Sequence, residues 1–85
     1  MEPTIRGYLD TDFSAVCALE RENSPKGCKP EVFIRQAGVL FADTFLVAEF
    51  GGEVAGYTIG ALVQHRQTTG WIIRLVGAER YRRRG

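Results

Sequence analysis

Two apolar runs joined by a pair of glycines set the centre of this fold. Residues Phe45–Phe50 and Glu53–Val63 are rich in the β-branched, aromatic and small apolar residues that strands favour. Gly51 and Gly52 stand between the runs, and both can adopt the positive φ angles that a two-residue hairpin turn requires. The pattern therefore predicts an antiparallel hairpin over residues 45–63.

Further runs on both sides extend this hairpin into a sheet. Residues 71–76 are typical of a strand that follows a polar loop at residues 64–70, and a short strand is predicted at residues 4–9. Because the loop is short, we expect residues 71–76 to pair antiparallel with the second hairpin strand. The predicted order is strand, helix, helix, strand, strand, strand. An α+β fold follows, in which two helices pack on a mostly antiparallel sheet.

Two amphipathic helices are predicted before the hairpin. Asp10, Thr11 and Asp12 supply an N-cap and an acidic first turn for the first helix, which ends before Pro25. The second helix begins at Pro30, a residue suited to the first helical position. Apolar residues at three- and four-residue spacing mark the buried faces. They are Phe13, Val16, Cys17 and Leu19 or Glu20 in the first helix, and Phe33, Ile34, Ala37, Leu40 and Phe41 in the second.

The composition is that of one small globular domain. The 85 residues are 45% hydrophobic and 25% charged, and the net charge of +1 favours neither nucleic acid nor a membrane surface. No apolar stretch approaches the ~20 residues that span a bilayer, and no metal site is predicted. Cys17 is predicted to be a buried thiol and Cys28 an exposed one. No secretory signal precedes them, so we expect a cytoplasmic location.

Positive charge is concentrated at the end of the chain. The apolar run at residues 71–76 leads into a short basic segment that ends at Gly85. Such a strand-to-turn passage is typical of a phosphate site, where free backbone N–H groups at a helix N-terminus point at an anion. The basic residues are Arg80, Arg82, Arg83 and Arg84.

These residues carry a resemblance to a known family. Arg82-x-x-Gly85 looks like the start of the Gln/Arg-x-x-Gly-x-Gly/Ala signature of the GNAT superfamily, the acetyl-CoA-dependent N-acetyltransferases. Residues 72–85 are similar to that family's strand-to-loop consensus, and Val54-Ala55-Gly56-Tyr57 resembles its glycine-containing middle strand. The resemblance spans residues 1–85 as a single truncated domain. It corresponds to the N-terminal half of a family domain and ends inside the pyrophosphate-binding motif.

The resemblance implies acetyl-CoA as cosubstrate and an amine, on a small molecule or a peptide, as acceptor. In the family the last strand of this half splays from the next one, and the pantetheine arm lies in the gap. Backbone groups of this strand would bind the arm, and amides of the basic turn would bind the pyrophosphate. By position, the implied cofactor-binding residues are Leu75, Val76, Gly77, Arg82, Arg83, Arg84 and Gly85.

The chain departs from the family pattern where a general base often stands. Ile73 occupies a position where the family often has glutamate, and a hydrocarbon side chain cannot accept a proton. Gly77-Ala78-Glu79 replaces the common Val-x-Pro, and the tyrosine often proposed as general acid belongs to the other half of the domain. No catalytic residue is therefore assigned. We expect the isolated chain to be inactive unless a C-terminal half or a partner completes it.

A second hypothesis is a non-catalytic small domain. Its strand at residues 71–76 would present an open apolar edge, through which two copies could pair as a dimer. Nucleic-acid binding by the arginines is disfavoured, because the net charge of the chain is only +1. His65, Glu49 and Glu53 are interpreted as solvated loop or edge residues, and Tyr57 and Trp71 as packing residues.

Overall fold

The computed structural model describes residues 2–24 and 29–78. The predictions made for Cys28, Arg80, Arg82, Arg83, Arg84 and Gly85 lie outside these residues. In chain order, the elements are strand β1 (Thr4–Gly7), a 3₁₀ turn (Asp10–Asp12), helix α1 (Phe13–Asn23), helix α2 (Glu31–Leu40), a second 3₁₀ turn (Ala42–Thr44), and strands β2 (Phe45–Phe50), β3 (Glu53–Val63) and β4 (Arg66–Gly77).

The strands form one antiparallel sheet in the order β1-β2-β3-β4. Its centre is the predicted hairpin, in which Phe50 pairs with Glu53 across a turn formed by Gly51 and Gly52. Their φ angles are +59° and +83°, as a type I′ turn requires. The predicted α+β fold, with β3 paired to β2 on one side and to β4 on the other, is confirmed.

Strand β4 is longer than predicted. Residues 66–70, expected in a loop, continue the strand, and Arg66 pairs with Val63. This part of the β3–β4 ribbon extends past β2, whose own pairing with β3 ends where Phe45 meets Ile59. Both faces of the ribbon are exposed, so its sequence shows no apolar alternation that would have identified a strand.

Strand β1 is shorter than predicted and ends at Gly7 instead of residue 9. Tyr8 leaves the strand, and its ring stacks on Phe45 with the ring centroids 4.1 Å apart. Its backbone N–H still donates to the Phe45 carbonyl at 2.9 Å. Tyr8 thus packs against the core although it lies beyond the end of the strand.

Both helices pack on one face of the sheet. The core contains Val16 from α1, Ile34 from α2, and Phe45, Val47 and Ile59 from the strands, none more than 1% exposed.

Helix α2 differs from prediction at its end. Leu40 is 68% exposed, and Phe41, the next residue, packs against the core instead.

Arg21 and Glu31 form an ion pair between the two helices.

The capping role expected of the acidic residues before α1 is not observed. Asp12 is the N-cap residue, but its side chain makes no hydrogen bond to the first turn of the helix. Its Oδ2 instead accepts the backbone N–H of Leu9 at 2.8 Å, and both of its oxygens bind Arg6. A charged guanidinium and a second donor compete successfully with the helix for this carboxylate.

Candidate functional site

Strand β4 is the last strand of the sheet in the described part of the chain, so one of its edges has no neighbouring strand there. Its hydrogen-bond pattern determines which residues present backbone groups at that edge. The Ala78 N–H donates to the Ala55 carbonyl at 2.7 Å. Bonded and non-bonded pairs alternate in an antiparallel ladder, so Val76 and Tyr57, two positions along, also form a bonded pair. The backbone of Val76 therefore faces β3.

The positions between these bonded pairs are oriented the other way. Leu75 is opposite Thr58 and Gly77 is opposite Gly56, and both are non-bonded pairs by the same alternation. Their N–H and C=O groups point away from β3, toward the open edge. Of the three strand residues predicted to bind a ligand, Leu75 and Gly77 thus turn donors and acceptors toward the outer edge, while Val76 stays in the ladder and is buried.

An open groove of about 830 Å³ runs along the face of the sheet opposite the helices. Small residues form its floor, since Ala48, Gly56 and Gly77 share one cross-strand row. A Cβ atom at Gly56 would lie 2.8 Å from the Val76 carbonyl oxygen, so a larger residue does not fit. The close approach of two backbones that the sequence suggested at Gly56 is present. Leu46 and Leu75 line the groove and are 37% and 76% exposed.

The β3–β4 pairing shifts by one residue next to the site. Arg74 pairs with Ile59 and Ile72 pairs with Gly60, so Ile73 has no partner on β3. Ile73 is 42% exposed and provides no acidic group at this irregular point of the strand. A side chain beside a register shift is re-aimed relative to regular pleating, which is common next to functional sites.

A buried carboxylate joins α1 to β3 and β4. Glu20 is 6% exposed, and its Oε1 and Oε2 accept Nε and Nη2 of Arg74 at 2.9 and 2.6 Å. The hydroxyl groups of Tyr57 and Ser24 also donate to it, one to each oxygen. Thus each carboxylate oxygen has two donors.

These contacts determine the protonation of the cluster. Burial alone would raise the pKa of Glu20, but the hydrogen bonds from Arg74, Ser24 and Tyr57 outweigh it and lower that pKa to about 2. The pKa of Tyr57 is raised, first by burial and then by the hydrogen bond to Glu20. The hydrogen bond to Glu20 also raises the pKa of Arg74. A carboxylate this acidic and this fully bonded is a poor general base at neutral pH.

The sequence analysis placed Glu20 on the packing face of α1 but not in a polar cluster. Two features could have indicated it: a carboxylate on the apolar face of a helix, and Arg74 within an apolar strand. Each implies a buried charge that needs a partner of opposite sign.

A second arginine–carboxylate pair lies at the opposite edge of the sheet. Arg6 on β1 binds Asp12 with both terminal nitrogens, at 2.8 and 2.9 Å. It also reaches Glu49 at 3.3 Å, so Glu49 is not the purely solvated residue that was predicted. The hydrogen bond to Arg6 holds the pKa of Asp12 below its usual value.

The other residues considered from sequence lie apart from this strand end. His65 is exposed in the β3–β4 turn. Trp71 was expected to pack, but it is 70% exposed on the ribbon. The buried free thiol at Cys17 is confirmed.

The described residues contain neither a candidate metal site nor a candidate membrane-spanning helix. No group of three or more histidine, cysteine, aspartate or glutamate side chains in that part could hold a metal ion. None of the helices described is long and apolar enough to cross a membrane.

Comparison with known proteins gives a consistent result. A family model described as the acetyltransferase (GNAT) family matches residues 10–85. The structure of Ard1 from Thermoplasma volcanium is similar with a TM-score of 0.84 and 22% identity, over 100% of this chain and 55% of that one. At that identity the likeness concerns the fold. A search of curated proteins finds no match.

A second solved structure is that of the diaminobutyrate acetyltransferase EctA from Paenibacillus lautus, in complex with its substrate L-2,4-diaminobutyric acid and coenzyme A. Its TM-score is 0.79 and its identity 25%, over 99% of this chain and 51% of that one. The chain thus spans about half the length of the solved structures it matches.

Proposed function

The chain belongs to the acetyltransferase (GNAT) family, and on that premise we propose that it forms the cosubstrate-binding half of an N-acetyltransferase. The reaction moves the acetyl group of acetyl-CoA to an amine. One observation carries the proposal: β4 turns backbone groups of Leu75 and Gly77 toward its outer edge, shortly before the basic residues that resemble the family's pyrophosphate motif. Coenzyme A in the EctA complex supports acetyl-CoA as cosubstrate.

The free edge suits the pantetheine arm of acetyl-CoA, because that arm contains amide groups. Leu75 and Gly77 can donate and accept hydrogen bonds with them, in the way that one strand pairs with another. Val76 lies between them and keeps the strand attached to β3. Beyond β4, backbone amides of Arg83, Arg84 and Gly85, with the cation of Arg82, would bind the pyrophosphate.

Bound acetyl-CoA supplies an activated acetyl thioester. The protein's part is to hold that group beside the acceptor amine, so that attack by nitrogen becomes an intramolecular process in a fixed geometry. Nitrogen forms a bond to the acetyl carbon, the carbon–sulfur bond breaks, and the amine gives up a proton. Neither Ile73 nor Glu20 is suited to take that proton, so no catalytic base is assigned among them.

The acceptor is proposed only as an amine of a small molecule or a peptide. The EctA complex contains an amino acid with a free amine, which fits this class. We place the protein in the cytoplasm, since Cys17 is an unpaired thiol and reduced cysteines are usual there.

A homo-oligomer, or a complementing C-terminal half, would cover the apolar groups at the edge of β4. Exposed Trp71, Ile72 and Leu75 favour such an assembly. A non-catalytic role for it is the alternative to acetyl transfer, and ligand binding at β4 discriminates between the two.

Titration of ¹⁵N-labelled chain with coenzyme A, followed by NMR, tests the proposal. We expect amide shifts at Leu75, Gly77 and Arg83 to Gly85, with smaller changes in β1. Arg82→Ala and deletion of Gly85 should weaken binding, since each charge-assisted hydrogen bond contributes ~1.5–3 kcal/mol. Saturating coenzyme A without any shift along β4 would refute the proposed site.

A further inference from the structure

Helix α1 is bound to both edges of the sheet in the described part of the chain. At its start Asp12 binds Arg6 of β1 through both terminal nitrogens. Toward its end Glu20 binds Arg74 of β4 through Nε and Nη2. Both carboxylates are 6% exposed, and each arginine belongs to an outer strand of the sheet.

The spacing of the two carboxylates matches the width of the sheet. Asp12 and Glu20 are eight residues apart, which corresponds to about 12 Å of helix rise. Four strands leave three gaps of about 4.8 Å, or ~14 Å from one outer strand to the other. The helix therefore reaches from one outer strand to the other and contacts both.

The contact at β4 reaches the proposed ligand-binding residues. Arg74 directly precedes Leu75, and its carbonyl accepts the Thr58 hydroxyl at 3.1 Å. Nδ2 of Asn23, the last residue of α1, lies 3.5 Å from the Gly77 carbonyl, one of the edge-facing groups. Among the described residues β4 has a strand neighbour on one side only, and the contacts with α1 give it a second support.

We propose that Glu20 is a positioning residue for the cosubstrate. Through Arg74 it holds β4 in the arrangement that presents the edge-facing groups of Leu75 and Gly77 to the ligand. The inference rests on the proposed function, because it assumes that the ligand binds along this strand. Glu20, a buried acid on α1, thus affects ligand affinity without contacting the ligand.

The expected change in Kd follows from the fraction of molecules in which β4 is correctly placed. If loss of the Glu20–Arg74 pair leaves β4 correctly placed in about a tenth of molecules, the apparent Kd rises about tenfold. This rise in the apparent Kd should be observed even under conditions where the variant remains folded.

Glu20→Gln is the main test, and Asp12→Asn is its matched control. The two substitutions each neutralise a carboxylate that is 6% exposed and bound to an arginine on an outer strand. Arg74→Lys keeps the cation but loses the two-point contact, and it is the milder variant if Glu20→Gln does not fold. Three quantities are measured for each protein: the melting temperature, the Kd for coenzyme A, and amide hydrogen exchange at Val76, which reports on the β3–β4 ladder.

We expect Glu20→Gln and Arg74→Lys to weaken coenzyme A binding and to accelerate exchange at Val76, with the larger change for Glu20→Gln. Asp12→Asn should lower the melting temperature by a similar amount and leave both other quantities near wild type. Equal effects of Glu20→Gln and Asp12→Asn on Kd would overturn the inference, since both would then act through stability alone. If wild-type protein does not bind coenzyme A, the proposed function fails, and unchanged exchange at Val76 in Glu20→Gln would separately refute the positioning role.

Discussion

Glycine 56 shows how one residue sets the distance between two strands. It is opposite Gly77 in a non-bonded pair, and a Cβ there would come within 2.8 Å of the Val76 oxygen. The two strands can approach this closely because the side chain is absent. The same contact forms part of the groove floor beside the free edge of β4.

We predict that Gly56→Ala destabilises the protein by about 1–3 kcal/mol, because β4 has to shift to accommodate the new methyl group. Urea denaturation of wild type and variant measures the difference. Gly7→Ala is the control on the same face, since a Cβ at Gly7 meets nothing within 4 Å. Equal stability of the Gly56→Ala protein and wild type would mean that the strands have room to separate.

Glu20 predicts a specific pH dependence. Its pKa falls from 4.5 to about 2 on folding, so its contribution to stability is fully present above pH ~4.5 and is lost as pH falls through ~2. The contribution should be roughly 2–3 kcal/mol. The difference in unfolding free energy between wild type and Glu20→Gln, measured from pH 6 to 2, should shrink over that interval. Asp12 also has a lowered pKa and adds a similar pH dependence to both proteins, which the difference removes. A difference that does not change with pH would contradict the lowered pKa of Glu20.

At the scale of elements, the sequence was most informative where a local rule decides the structure. Gly51 and Gly52 predicted the hairpin because only glycine adopts successive positive φ angles at no steric cost. The first half of β4 could not be predicted in this way. Arg66, Thr68, Thr69 and Gly70 are exposed on the ribbon, and the strand conformation of this segment depends on pairing with β3.

The candidate site also has one part that the sequence predicted and one part that it did not. Leu75, Val76 and Gly77 were named from the element order and the resemblance, and their role in ligand binding stays a prediction. For Glu20 and Arg74, the sequence could indicate that each needs a partner of opposite charge, but not that they bind each other. These residues are 54 positions apart, and only the tertiary fold brings them together.

The turn between β2 and β3 provides a test at this scale. Gly51→Asn should keep nearly full stability, because asparagine tolerates the left-handed region at φ +59°. Gly51→Val should lose about 1–2 kcal/mol, the cost of placing a β-branched residue there. Chemical denaturation of the two variants measures this difference. If both are equally stable, the turn adopts another conformation in solution.

At the scale of the whole molecule, the described helices cover one face of the sheet. Both helices lie on the face with Val47 and Ile59, and the other face presents the groove and an exposed Leu75. Exposed apolar side chains also occur on α2, at Val32, Val39 and Leu40, but those at Ile72 and Leu75 belong to the proposed ligand-binding strand itself.

We predict that the 85-residue chain alone gives no meaningful acetyl transfer. Ile73 cannot accept a proton, and Glu20 is held with a pKa of about 2 by four donors. Thiol release from acetyl-CoA in the presence of amine acceptors measures the reaction. Steady release that is abolished by Arg82→Ala and by deletion of Gly85 would show that the chain is active.

The final prediction is that the chain is not a stable monomer. Trp71, Ile72 and Leu75 are 70%, 67% and 76% exposed along β4. Burying such side chains contributes about 1.5–3 kcal/mol each, which is large relative to the stability of so small a core. Pairing of two β4 edges would bury part of this surface and give further partners to the edge-facing backbone groups of Leu75 and Gly77. Repulsion between the basic segments opposes this pairing, but exposed charges are screened beyond ~8–10 Å at ordinary salt concentrations. Sedimentation velocity over a dilution series measures the association. A single monomeric species at every concentration, with unfolding that does not depend on concentration, would show that these side chains tolerate water, and Leu75→Ser is expected to move the protein toward that behaviour.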